Sequence, residues 1–346
     1  MTFRKFRADG IFTGTELLGP DTVVICDSDG TILEVTNAQS AGDDIQQLKG
    51  VLSPGFINCH CHLELSHMKG LIPEKTGLVD FVFSVVTQRH FNEEEILQAI
   101  AEAEADMIRN GIVAVGDICN NTLTLHQKKQ QDLHYYNFVE TSGWLPEVAL
   151  QRFERSSVNF ELFSEVSPTS IVPHAPYSVS EQLWQLIEPF YRNRVVSIHN
   201  QETAFEDELF LQNSGDFLRM YKMMKLDTSF YQPSGKSSLQ TYFDKLCGAA
   251  TVLLVHNTFT SETDLQFVQK QRSKNGVFFC ICANANKYIE DAIPRVNLLR
   301  DHDCNIVIGT DSLASNWSLS VLDEMKTIHK NYPEVGLQEL DRKSVV

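Results

Sequence analysis

The 346-residue sequence predicts an α/β fold, a parallel (β/α)8 TIM-type barrel carrying a small β-sandwich-like layer at its N-terminus. Three observations predict it. From about Val51 onward, eight apolar strand candidates alternate with helical patterns. Five of those strand candidates end in His or Asp, as the catalytic face of a barrel does. The first fifty residues depart from this pattern and read as short runs punctuated by glycine. Alternation alone equally suits an open doubly wound sheet, and counting strands does not separate the two.

In the first fifty residues Gly10, Gly14, Gly19, Pro20, Gly30 and Gly42 interrupt short runs such as Thr22–Cys26 and Thr31–Val35. Asp29-Gly30 between those two runs is a hairpin signal, because both residues tolerate the left-handed conformation of a tight turn. The strand candidates that follow are Val51–Asn58, Ile112–Ile118, His134–Glu140, Ser170–Pro173, Arg194–Ile198, Thr251–Val255, Gly276–Cys282 and Asn305–Gly309. Glu93–Arg109 places Ile96, Ile100, Ala103 and Met107 at helical spacing, and Glu181–Tyr191, Glu262–Arg272, Pro294–Asp301 and Leu319–Lys330 show similar patterns. The stretch Leu209–Lys245, between the fifth and sixth strands, is long enough to predict an active-site lid or rim. The expected organisation is therefore residues 1–50 as part of a small β domain, 51–335 as the barrel, and 336–346 as a tail.

Composition narrows the function classes. Twenty-nine Lys and Arg face 45 Asp and Glu, a net charge of −16, which argues against nucleic-acid and anionic-membrane partners. A locally basic pocket for an acidic substrate stays compatible with it. No apolar run approaches the ~20 residues of a membrane span. The basic start is not followed by the apolar core of a signal peptide, and eight scattered cysteines show no disulfide framework, so a reduced, cytoplasmic protein is expected.

The chemistry concentrates at strand ends. An apolar run finishes in His60-Cys61-His62, and residues two apart on a strand point to one side, where both imidazoles can face one ion. Alone, the pattern could be two incidental histidines. His174, His199, His256 and Asp311 each follow another apolar run, and five such ends together point to a shared site. Three imidazoles and one carboxylate suit zinc or another borderline divalent ion, with a position left for water. Glu202, three residues past His199, is a helix N-terminal acid when taken alone and a proton shuttle when set beside a metal. Cys59, Cys61, Cys280 and Cys282 are expected in the core or rim, and His67, His90, His126, His134, His302 and His329 in solvated or packed positions. Phosphate-binding glycine loops and the Gly-x-Ser-x-Gly nucleophile elbow are absent.

Pro54-Gly-Phe-Ile-Asn-Cys-His60-Cys-His62, His174-Ala-Pro-Tyr-Ser-Val-Ser180, His199-x-x-Glu202, His256-Asn257 and Gly309-Thr-Asp311-Ser-x-Ala-Ser315-Asn316 together resemble the amidohydrolase superfamily, in its ATZ/TRZ-type deaminase branch. His62-Leu-Glu-Leu-Ser66 and Ala114-Val-Gly-Asp-Ile-Cys-Asn120 look most like the aminodeoxyfutalosine deaminases of menaquinone synthesis. The resemblance implies one divalent metal ion, zinc or iron, held by His60, His62, His199 and Asp311. It implies catalytic roles for Glu202, His256 and Asp311, and substrate contacts from His174, Glu64, Ser315 and Asn316. The implied reaction is hydrolytic deamination of an adenine nucleoside derivative of the aminodeoxyfutalosine, S-adenosylhomocysteine or methylthioadenosine type. Alternatives are a guanine-like or triazine-like ring, or an inactive truncated barrel. The implied partner is a small nucleoside-like molecule, with a homodimer as the expected assembly.

Two departures stand out. Where the family usually carries Cys-Pro-x-Ser-Asn, this chain has Cys282-Ala-Asn-Ala-Asn286, which is expected to reshape the substrate rim. The family pattern also runs on past the eighth barrel strand, so the end at Val346 predicts a β layer short of partner strands, with an exposed edge.

Overall fold

The computed structural model describes residues 3–273, 276–336 and 338–340. Seven short strands open the chain: β1 (Arg4–Arg7), β2 (Gly10–Phe12), β3 (Leu17–Leu18), β4 (Thr22–Cys26), β5 (Ile32–Asn37), β6 (Ile45–Gln47) and β7 (Val51–Leu52). They form a four-stranded sheet in the order β5-β4-β1-β6 and a three-stranded sheet in the order β3-β2-β7. Ile11, Val24 and Cys26 make a small core between them, with Phe6, Leu18 and Leu52 packed against it. The expected hairpin is present: β4 and β5 pair antiparallel, and Asp27 Oδ1 accepts from the N–H groups of Asp29 and Thr31 across the turn.

Eight further strands follow: β8 (Phe56–Cys61), β9 (Ile112–Cys119), β10 (His134–Thr141), β11 (Thr169–Pro173), β12 (Val195–Asn200), β13 (Thr251–His256), β14 (Val277–Ile281) and β15 (Asn305–Ile308). Neighbours pair in parallel within two four-stranded groups, β8 to β11 and β12 to β15, each in chain order. Hydrogen bonds join the groups at both seams. His199 N–H donates to His174 O at 3.0 Å, and the N–H groups of Thr310 and Asp311 donate to His60 O at 2.9 and 3.1 Å. A doubly wound sheet reverses its strand order at a switch point. Here the order never reverses, and the architecture is the TIM-barrel type with all strand C-termini on one face.

One expected strand divides. Val51–Leu52 joins the N-terminal sheet while Phe56–Cys61 enters the barrel. Pro54 has no N–H to give a ladder, and Gly55 lies against Val113, where an added Cβ would sit 2.3 Å from Cγ1. The helix Glu93–Arg109 has its expected bounds, capped by Asn92 accepting from Glu94 N, and it buries Ile96, Ile100, Ala103 and Met107. Those side chains enter one large core with Val115, Ile171, Ile198, Leu254, Ile281 and Ile308 from the strands.

The insertion after β12 folds into helices Ala204–Gln212, Phe217–Met223 and Ser238–Tyr242. Phe217, Met220 and Tyr221 pack with Leu65, Phe81, Trp144 and Tyr177 in a second core, on the strand-end side of the barrel. Val335 and Leu340 of the chain's last part join the main core, and residues 341–346 lie outside the described ones.

Candidate metal centre and active-site cavity

The strand ends bring together groups that the sequence scatters. His60, in β8, and His62, just past it, emerge on one side, with their Nε2 atoms 3.2 Å apart. His199, near the end of β12, brings its Nε2 to 3.2 Å from that of His62. Asp311 follows β15 and sets Oδ1 3.3 Å from His62 Nε2 and 3.7 Å from His60 Nε2. All four residues are buried, and one ligand atom from each lies within 4.8 Å of the others.

This donor set fits a divalent cation. Four ligands about 2.0–2.1 Å from zinc at tetrahedral corners lie roughly 3.3 Å from one another, close to these spacings. His199 Nδ1 is 2.8 Å from the carbonyl oxygen of His174, which can only accept, so Nδ1 carries the proton and the Nε2 lone pair faces the cluster. Burial pushes His62 down to about 3 and His199 well below its ordinary value, which leaves neutral, ligating imidazoles. Burial alone would raise the Asp311 carboxyl, but the imidazoles of His60, His62 and His256 reverse this and hold it well below the carboxylate range. The His199 lone pair and the Asp311 carboxylate converge with the Nε2 atoms of His60 and His62.

The backbone is strained where it delivers these groups. Asp311, His256 and Asn257 have φ of 58°, 75° and 58°, in the left-handed region, at a cost of ~1–2 kcal/mol each. Hydrogen bonds fix the turns: Asn257 Nδ2 donates to Leu254 O at 2.8 Å and Cys280 O at 3.2 Å. Gly309, just before the Asp311 turn, permits close approach, since an added Cβ would stand 2.8 Å from both His60 Cβ and Cys280 Sγ.

Beside the cluster, Glu202 Oε2 lies 3.5 Å from His256 Nε2, and both residues are buried. Burial, then the carboxylate of Asp311, raises the Glu202 carboxyl well above its usual value, which favours its protonated form. His256 is pushed down to about 4 by burial. His174 sets its ring 4.8 Å from that of His199 and pairs Nδ1 with Ser178 Oγ at 2.8 Å. A cavity of about 820 Å³ opens over these groups. Trp144 and Tyr221, stacked at 4.6 Å, form part of its wall, and Met220 and Met224 of the insertion line it as well.

Of the expected substrate contacts, Glu64 and His174 line this cavity. Ser315 and Asn316 do not. Ser315 Oγ donates to Asp311 Oδ2 at 2.6 Å, and Asn316 Nδ2 donates to Thr310 O and Glu324 Oε1, so both sit buried behind the ligand shell. They support Asp311 because the chain turns inward straight after β15. Cys282–Asn286 likewise lies buried and starts the helix Ala283–Glu290 rather than lining this cavity. Trp317 is exposed and bonds Glu74. Among the described residues no cysteine joins a ligand group, and His67 and His329 pair with backbone carbonyls.

Sequence reasoning missed Glu140, Asn120 and Arg89, all cavity-lining. Glu140 closes the strand candidate His134–Glu140, so the strand-end rule already contained it. Burial raises both Glu64 and Glu140 to about 7.

Fold and site define a barrel protein with a histidine–carboxylate metal-binding site at its strand ends. Residues 222–338 match the amidohydrolase family. An adenosine deaminase of Helicobacter pylori is 25% identical over 351 residues, covering 94% of this chain and 84% of that one. A 5-methylthioadenosine/S-adenosylhomocysteine deaminase of Saccharophagus degradans is 26% identical over 324 residues, covering 86% of this chain and 65% of that one. The solved structure of Helicobacter pylori aminofutalosine deaminase with methylthio-coformycin superposes with a TM-score of 0.85 at 23% identity, covering 99% of this chain and 85% of that one. The chain is an enzyme similar to the amidohydrolase family over residues 222–338.

Proposed function

We propose that this enzyme hydrolytically deaminates an adenine nucleoside derivative of the aminodeoxyfutalosine, S-adenosylhomocysteine or methylthioadenosine type, releasing ammonia. The observation that carries this reading is a buried Glu202 beside a three-histidine, one-aspartate cluster in a nucleoside-sized cavity. The names of its relatives support the same substrate class.

His60, His62, His199 and Asp311 would hold one divalent ion, with zinc the ion we propose. Bound there, the ion supplies water as a nucleophile at neutral pH by lowering its pKa from about 16 towards 7. The Asp311 carboxylate, kept ionised by its imidazole neighbours, accepts the proton of the attacking water. Glu202 donates its proton to the ring nitrogen next to the attacked carbon. His256 Nε2, 3.5 Å from Glu202 and without a hydrogen-bond partner among the described residues, orients the incoming hydroxyl. Water adds oxygen at the carbon, Asp311 passes the first water proton to the amino group, the C–N bond breaks and ammonia leaves, while the hydroxyl proton returns to Glu202 and leaves a carbonyl beside the protonated ring nitrogen. His174 and Glu64 hold the substrate.

We further read the eight parallel strands as one closed barrel over residues 51–335. Residues 1–50 then form part of a small β-sandwich domain, and the assembly is a cytoplasmic homodimer. Among the described residues no helix is long and apolar enough to cross a membrane.

The test is ammonia release by the zinc-loaded protein from aminodeoxyfutalosine, S-adenosylhomocysteine, methylthioadenosine, adenosine and guanine, with His62→Ala as control. Release from an adenine derivative that vanishes in the control is expected. Release from guanine alone, or from nothing in a folded, metal-loaded protein, overturns the reading.

A further inference from the structure

The turn that carries Glu202 away from β12 is held by groups outside the ligand cluster. Gln201, between Asn200 and Glu202, has φ of 43°, in the left-handed region. Strain of that kind persists where surrounding bonds over-determine it. Glu206 supplies one of these bonds. Thr203-Ala-Phe-Glu206 has the spacing of a capping box at the start of the helix Ala204–Gln212. Thr203 makes no side-chain cap there. Glu206 instead reaches back past it, and its Oε1 accepts from Gln201 N–H at 3.1 Å. The same oxygen accepts from Ser238 Oγ at 2.6 Å, and Ser238 N–H donates to Asp207 Oδ1 at 2.8 Å. Gln201 Nε2 donates to Asp264 Oδ2 at 2.9 Å, and Tyr242 Oη donates to Asn200 Oδ1 at 2.7 Å. Asn200, Gln201, Glu206 and Ser238 are all buried.

Ser238 and Tyr242 begin and end the last helix of the insertion, whose residues Met220, Tyr221 and Met224 line the cavity. One part of the insertion thus walls the cavity while another grips the Glu202 turn. Glu202 Oε2 stands 3.5 Å from His256 Nε2, longer than an ordinary hydrogen bond, so the backbone aims the carboxyl. We infer that Glu206 and Ser238 are positioning residues for the proton transfer. Glu206 Oε1, itself held by Ser238, fixes Gln201 N–H and with it the turn that points Glu202 at the substrate ring. This rests on the deamination reading above and extends the acid–base machinery into the insertion. A misaimed proton donor weakens an interaction made in the transition state, so the loss falls on kcat rather than on KM.

The test measures kcat and KM of the zinc-loaded enzyme on the adenine nucleoside that it deaminates. Small misplacements of a reacting group are costly, so Glu206→Ala is expected to lower kcat about ten- to a hundredfold, with KM and zinc content retained. Ser238→Ala removes a single hydrogen bond and is expected to lower kcat about three- to tenfold. Glu206→Gln keeps an accepting oxygen and recovers most of the loss. The double variant Glu206→Ala, Glu202→Gln separates positioning from general loosening of the fold. If Glu206 acts through Glu202, Glu206→Ala costs no further activity once Glu202 is replaced. An equal loss in both backgrounds, loss of zinc, or an unchanged kcat overturns the inference. Should Glu206→Ala not fold, the same cycle is run with Ser238→Ala. If the wild-type enzyme deaminates no adenine nucleoside, the proposed reaction fails, and the crystal structure of Ser238→Ala or Glu206→Ala decides the positioning. A Glu202 carboxyl moved away from His256 supports it, and one left in place overturns it.

Discussion

Ser315 donates to Oδ2 of Asp311 and leaves Oδ1 to face His60 and His62. A residue that orients a ligand in this way is worth about 10–100-fold in metal affinity. Ser315→Ala should therefore weaken zinc by that factor in a chelator competition while the fold is kept, and an unchanged affinity would show that the strained backbone alone aims Asp311. Glu202 makes the complementary case, since it is not in the ligand cluster. Glu202→Gln is expected to cost about 10²–10⁴ in turnover as a lost acid–base group, with stoichiometric zinc by elemental analysis. Loss of metal in that variant would sink the shuttle role.

At the scale of elements, the first barrel strands are held by a fully buried ion pair. Lys128 Nζ reaches Asp117 Oδ2 at 2.5 Å and also donates to Asn137 Oδ1 at 2.9 Å, while it lies over the rings of Tyr135 and Phe163. Asp117 Oδ1 in turn accepts from Leu63 N at 2.9 Å, which fixes the chain directly after His62. Lys128→Met strands the aspartate charge, and breaking such a pair costs about 3–5 kcal/mol. Denaturant unfolding should read a loss of that size, and a change below about 1 kcal/mol would mean that Asp117 finds water or a proton instead. The same contact predicts weaker metal binding in the variant, because the turn after His62 loses its anchor.

For the whole molecule, buried carboxyl groups set the pH dependence. Burial raises both Glu206 and Glu324 to about 8. A carboxyl whose folded pKa is raised contributes stability that is full below its unfolded value near 4.5 and lost as pH rises through the folded value. Buried histidines act in the opposite sense, but only below about pH 6.5, where they would be charged in the unfolded chain. The metal-free protein should therefore lose stability from about pH 7 to pH 8.5, with a shallower decline in Glu324→Gln. A flat Tm over that range would show that water reaches these sites. Zinc at 1,000 times its Kd adds about 4 kcal/mol, a rise in Tm that His62→Ala abolishes.

The sequence by itself determined the strand and helix alternation, the bounds of Glu93–Arg109, the hairpin at Asp29-Gly30 and the polar residues at strand ends. Those are local signals, carried by periodicity, caps and turn residues, and each is complete within a few residues of chain. Only the tertiary structure decided which polar groups share a cavity. Ser315 and Asn316 stand next to a ligand in sequence yet turn behind it. Asn120 and Glu140 reach the cavity wall because lateral strand pairing around the barrel, which no local pattern encodes, carries β9 and β10 alongside β8, and Arg89 reaches it from the end of the helix Leu78–Gln88.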